Sequence, residues 1–440
     1  MSGSDMLDEL LFAEDRDVGF AARPVVSFRD DDEPAFLDQL RARGAEEIEL
    51  VRRGVYHGHW AELAEISGAA HDPAARWQES RPVLLPGLVQ PLLVELEQRI
   101  DEALGDHEIL REPGGLRDWL AQASEWIEPD FRLLEREAPL ADPERDVERV
   151  LLASDPPSGS SGRTVDNLWL KTGWLSTHED DASLRLRVSF GREVDDDASP
   201  DLLRHRLVAE LAGRLLPEAS ALAAHTELTR QLQRLTGEIP FLTQHIAYWN
   251  APEGGALFHH DAFAPTGYDQ QLGVCFVQLA GRTAWLALSI GDLAERVVEL
   301  VRYLEEGELS WVRARISEGP LGWEGLVRLV ADREALVREL GLPGCGRLAA
   351  LVNQGPEFTA LLADAGHAAV LRPGDVLLLP NHGLGRTAMH SVFCASDELT
   401  YALSMAIRST RLPEAILEQG GDPLGGVPSR RRAMRRRGEL

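Results

Sequence analysis

The chain has 440 residues, enough for two or three domains or one large elaborated domain, and its 44% hydrophobic content is ordinary for a folded protein. No apolar run is long enough to span a membrane, the first residues (Met1 to Asp5) form no signal-peptide pattern, and Cys275, Cys345 and Cys394 have no metal or disulfide spacing, so a reducing cytoplasm is expected. The 72 acidic and 45 basic residues give a net charge of −27, which disfavours nucleic acid and anionic membranes as partners.

In chain order, residues 1–153 read as a mainly helical N-terminal region. Pro34 to Arg43 and Ala61 to Ser67 are short amphipathic pieces, while Pro91 to Leu104 and Leu116 to Ile127 have apolar residues at helical spacing. His57 and His59 stand at strand spacing without a nearby third ligand, and read as a solvated turn. Residues 154–163 (SDPPSGSSGR) have linker composition and mark a domain boundary. Asn167 to Ser176 and Ser183 to Phe190 read as a hairpin. Pro200 to Gly237 is helical, and from Phe241 the pattern changes to short apolar strands. An insertion at about 292–364 is again helical, suited to packing, to an oligomer face that would make a homodimer, or to a substrate lid. Residues 411–440 end in an arginine-rich run, Arg430 to Arg437, which reads as a solvated tail, with acidic surface or RNA as its alternative partners.

Chemistry concentrates at Phe258-His259-His260-Asp261. On a strand, residues two apart share a face, so His259 and Asp261 can present two ligands together. With His390 from a later strand they form a two-histidine, one-carboxylate triad, which covers one face of an octahedral ion and leaves the other positions open.

The flanking motifs follow an order. His245 to Asp261 reads as strand, Gly254-Gly255 turn, then the His-x-Asp; Gln278-Leu-Ala-Gly281-Arg282-Thr283-Ala284-Trp285, Pro373-Gly374-Asp375 and Met389-His390-Ser391-Val392 come next, before a final strand, Leu399 to Ile407. This set resembles the JmjC and cupin-like Fe(II)/2-oxoglutarate oxygenases, especially bacterial ribosomal oxygenases and asparaginyl hydroxylases, over roughly residues 241–291 and 368–409. The resemblance implies an α+β fold with a double-stranded β-helix (cupin/jelly-roll) barrel core over 164–410, a helical N-terminal region and a helical insertion. It implies catalytic Fe(II) on His259, Asp261 and His390, with O₂ and 2-oxoglutarate as co-substrates, and hydroxylation of a C–H bond in a protein side chain or small molecule. Tyr248 and Trp285 are candidate pocket walls. A metal-dependent cupin dioxygenase without 2-oxoglutarate, and a metal-free cupin-like binding protein, are the alternatives.

Two departures from the family pattern stand out. The loop Pro380 to His390 is longer than the family's, which makes His382 a rival third ligand. The cation that should pair the far carboxylate of 2-oxoglutarate is missing, because Thr283 and Thr400 occupy its usual positions. Arg386 from the long loop, Arg282 through a bulge and Lys171, the chain's one lysine, are the substitutes, with the Thr283 hydroxyl as a second donor; Arg408 lies too far along the last strand.

Overall fold

The computed structural model describes Val25–Val26, Glu49–Leu50 and residues 73–409, apart from short internal stretches of which 156–163, 191–201 and 263–270 are the longest. The histidines at 57 and 59, the amphipathic pieces at 34–43 and 61–67 and the arginine-rich tail lie outside the described residues.

Alternation of apolar side chains along the strands sorts this structure into layers. The elements used below are helix α1 (Pro73–Gln78), strand β1 (Val83–Leu85), α2 (Gln90–Leu110), α3 (Gly115–Gln122), β2 (Phe131–Leu133), β3 (Asp146–Ser154), β4 (Val165–Trp174), β5 (Leu184–Phe190), α4 (Leu202–Leu215), α5 (Pro217–Ala224) and α6 (Thr226–Thr236). They continue with β6 (Phe241–Asn250), β7 (Gly255–His259), β8 (Gln271–Ala280), β9 (Thr283–Ser289), α7 (Ile290–Glu305), α8 (Gly322–Val330), α9 (Arg333–Leu340), α10 (Ala349–Gln354), β10 (Ala368–Leu371), β11 (Val376–Pro380), β12 (Ala388–Cys394) and β13 (Thr400–Arg408). A nine-stranded sheet runs β1-β11-β8-β13-β6-β5-β4-β3-β2, and a four-stranded sheet runs β10-β9-β12-β7. All their pairings are antiparallel.

One face of the large sheet (Cys275, Val277, Ala247, Trp249, Leu403 and Met405) packs on α2 to α6. Its other face, through Val274, Phe276, Leu377 and Leu379, meets Trp285, Ala287, Leu371 and Val392 of the small sheet. The back of the small sheet (Ala284, Leu286, Leu288) is covered by the helices of the 292–364 insertion. From β6 onward the chain changes sheets at nearly every step, and the two sheets stay separate, so no closed barrel is present among the described residues.

The N-terminal part is less helical than its pattern suggests, because β1, β2 and β3 are strands of the large sheet. Residues 154–163 join β3 to β4, which are hydrogen-bonded neighbours, so the stretch of linker composition connects adjacent strands of one sheet. The hairpin over 167–190 is present as β4 and β5. Gly374 has φ +94° and the Asp375 amide donates to Arg372 O (3.0 Å), the geometry of a type II turn between β10 and β11. The described helices include none long and apolar enough to cross a membrane.

Two predictions follow from packing. A methyl group on Gly255 would lie 2.0 Å from the Val392 carbonyl oxygen on the facing strand. Gly255→Ala should therefore cost about 2–3 kcal/mol in urea denaturation and loosen the β7 to β12 pairing, a loss that a wild-type unfolding curve would disprove. Burial holds the His245 imidazole down at about 4, whereas the unfolded chain takes up that proton near the ordinary 6.5. The contribution is complete above about pH 6.5 and is lost as pH falls towards 4, so His245→Gln should flatten the fall in unfolding free energy between pH 7 and 5.

Candidate metal centre and its cavity

The pairing of β7 with β12 sets His259 opposite His390. Between that pair and the next, Ala256 opposite Val392, β7 carries one more residue than β12, which is a β-bulge. The bulge lets Ala256 and His259 face the inter-sheet side while Phe258 packs on the insertion helices. Asp261 sits just past the end of β7 rather than on the strand. The ligand atoms of His259, Asp261 and His390 all lie within 4.8 Å of one another. The His259 and His390 rings are 4.2 Å apart between centroids, and His390 Nε2 is 3.7 Å from Asp261 Oδ2.

The donors are in states that suit a divalent ion. His259 Nδ1 lies 2.7 Å from Leu257 O, and because a carbonyl can only accept, Nδ1 carries a proton, which leaves Nε2 as the ring nitrogen that can bind a metal. Burial first, and then His259, hold the His390 imidazole down at about 3, so it is neutral at physiological pH. For Asp261, burial opposes ionisation, but His390 and His259 outweigh it and keep the carboxyl below its usual range. Two imidazoles and a carboxylate on one side of an open cavity fit Fe(II) or a similar ion.

The remaining histidines near this motif have other work. His260 Nε2 donates to Gly341 O (3.1 Å) while Nδ1 accepts from the Ala262 amide, which ties the end of β7 to the insertion. His382 donates to Trp77 O (2.9 Å) and stands edge-on to the Trp77 ring, away from the cluster.

The triad opens into a cavity of about 410 Å³ whose walls include Val274, Phe276, Leu379 and Val392, with Tyr248 and Trp285. Trp285 stacks on His390 at 5.5 Å. Its Nε1 donates to Thr283 Oγ1 (2.8 Å), which donates to Gln278 Oε1 (2.7 Å). Thr283 is fully buried in this relay and lies outside the cavity lining, so its hydroxyl serves Trp285 and Gln278 instead of a ligand.

The candidate cations do not reach the cavity either. The loop carrying Arg386 closes on itself through the Asn381 to Thr387 bridge and docks on the N-terminal segment, where Arg386 Nη2 donates to Gln78 O (2.9 Å). Lys171 lies over the Trp169 ring on β4, with Arg149 and Arg187 as its register neighbours. Arg408 is buried and donates to Gln244 Oε1 (2.8 Å), and Arg282 is not among the lining residues. Sequence reasoning missed Arg185, Asn250 and Ser404, all of which line the cavity. For Arg185 a signal existed: Leu184, Leu186 and Val188 alternate with Arg185 and Arg187, which places both arginines on the face opposite the helices.

No family model matches the chain, and comparison with curated proteins gives no match. Solved structures with some likeness include the Escherichia coli protein YcfD, described as a ribosomal oxygenase (TM-score 0.23, 15% identity, covering 80% of this chain and 57% of that one). A 2OG-Fe(II) oxygenase family oxidoreductase from Burkholderia pseudomallei has TM-score 0.25 and 10% identity, covering 78% of this chain and 91% of that one. The epimerase SnoN, in complex with Fe3+, alpha ketoglutarate and nogalamycin RO, has TM-score 0.27 and 14% identity, covering 81% and 90%. The chain spans little more than half of YcfD, and with TM-scores of 0.23 to 0.27 the case for its site rests on its own geometry.

Anaerobic titration should give about one Fe(II) per chain. His259→Ala, Asp261→Ala and His390→Ala should each abolish stoichiometric binding, and His382→Ala should leave it intact. Elemental analysis showing metal retained in His390→Ala and lost in His382→Ala would reverse the assignment.

Proposed function

We propose that this chain is an Fe(II)- and 2-oxoglutarate-dependent oxygenase on a double-stranded β-helix, which hydroxylates a C–H bond of a protein side chain or small molecule. The observation that carries the reading is the convergence of His259, Asp261 and His390 at the wall of an apolar cavity large enough for a co-substrate and part of a substrate. The strand order supports the β-helix: β6, β8, β11 and β13 fall in one sheet and β7, β9, β10 and β12 in the other.

Bound Fe(II) would supply the coupled oxidation of 2-oxoglutarate and a substrate C–H bond by O₂. The chain's own residues supply position and environment. Trp285 braces the His390 ring, and the Thr283 and Gln278 relay fixes Trp285 in turn. Leu257 O sets the tautomer of His259. Val274, Phe276, Leu379 and Val392 keep one side of the site apolar, which limits water near the reacting groups. Burial, with Asp261 nearby, pushes the Tyr248 phenol up to about 12, so it stays a hydroxyl donor at neutral pH.

Fe(II)-reconstituted protein should convert 2-oxoglutarate to succinate while consuming O₂, and Asp261→Ala should lower that rate by at least about a hundredfold, comparable to or beyond the loss of a supporting contact. Metal binding without any succinate formation or 2-oxoglutarate binding would move the chain to metal-dependent dioxygenases that do not use this ketoacid.

A further inference from the structure

If the oxygenase reading holds, 2-oxoglutarate brings two carboxylates into the cavity. One accompanies the keto group to the metal. The other must be held within a cavity whose walls include Val274, Phe276, Leu379 and Val392, where a carboxylate without a cation is costly. The cations suggested by sequence position are committed elsewhere: Arg386 on the surface against Gln78 O, Lys171 over Trp169 and Arg408 against Gln244.

Among the described residues, one lysine or arginine lines the cavity, Arg185 of β5. It stands opposite Tyr248 in the register of β5 with β6, and Tyr248 lines the same cavity. The guanidinium is close enough to act on the Tyr248 phenol, which it favours ionising, although burial dominates there. Arg187, two residues further along, lies on the same face of the strand and acts on both Tyr248 and Asp261. A chain of net charge −27 therefore turns positive charge towards this one wall.

We propose that Arg185 is the carboxylate-pairing residue of the cavity, holding the far carboxylate of 2-oxoglutarate through a charge-assisted pair with the Tyr248 hydroxyl as second donor. A guanidinium suits this because its planar fork can meet both carboxylate oxygens. The charge would enter from β5, a strand next to β6 and outside the set that alternates between the two sheets, which explains how threonines can occupy positions 283 and 400.

The test uses the full chain loaded with Fe(II) under anaerobic conditions and two ketoacids, 2-oxoglutarate and 2-oxobutanoate, which lacks the second carboxylate. Calorimetry on Arg185→Gln should show 2-oxoglutarate affinity reduced about ten- to a hundredfold, with 2-oxobutanoate affinity and metal stoichiometry unchanged. Arg185→Lys, which keeps the charge and loses the fork, should fall between wild type and Arg185→Gln. It carries the same comparison if Arg185→Gln fails to hold metal. Unchanged 2-oxoglutarate affinity, or equal loss for both ketoacids, would overturn the assignment of Arg185 and leave the oxygenase reading standing. A wild-type protein that binds Fe(II) but not 2-oxoglutarate would overturn that reading and this assignment together.

Discussion

The pairing of β7 with β12 is the constraint on which the site depends. It sets His259 directly across from His390 through backbone pairing. Two features make that register hold. At one end Gly255 lets the strands approach to a distance no side chain would allow. At the other, the bulge changes the count by one, so that His259 faces inward although Phe258 and Leu257 intervene after inward-facing Ala256. A one-residue slip would turn His259 towards the insertion helices and dissolve the cluster.

Electrostatics then sets the character of the cavity. At the metal cluster, the His390 imidazole is held neutral and the Asp261 carboxylate stays ionised. Arg185 and Tyr248, on neighbouring strands of the large sheet, line the same cavity. Val274, Phe276, Leu379 and Val392 make parts of its walls apolar, which strengthens the interactions of charges beside them.

Much of the site was legible in sequence because its motifs are local: His259 with Asp261, the glycine pair before them, and Met389-His390-Ser391-Val392 opening a strand. What failed was long-range placement. Arg386 was close to His390 along the chain, but Asn381 and Thr387 pair, and Ser80 and Gln78 receive the loop from outside the sheets. Thr283 was adjacent to the right wall, yet its hydroxyl is taken by Gln278 and Trp285. Arg185 lay some seventy residues before the His-x-Asp, in a hairpin with no motif, and only the pairing of β5 with β6 brings it to the cavity. The same gap explains β3: its apolar run Val150-Leu151-Leu152-Ala153 is fully buried, but sequence alone did not show that it extends the large sheet.

The insertion between β9 and β10 takes its meaning from the same register. Its helices cover the back of the small sheet, but they also reach forward to the ligand strand at three points. The Asn353 side chain accepts from the Phe258 amide (2.8 Å), Cys345 Sγ lies 3.7 Å from Phe258 O, and Gly341 O receives His260. β7 is the edge strand of the small sheet, so among the described residues its backbone has, beyond its pairing with β12, no strand partner on the other side. The insertion occupies that side: Asn353 takes up the amide and Cys345 the carbonyl of the residue just before His259. Pro343 and Gly344 of the same segment line the cavity. One element therefore fixes the strand that carries His259 and bounds the space in front of it, which makes the insertion part of the site's construction as well as a covering layer.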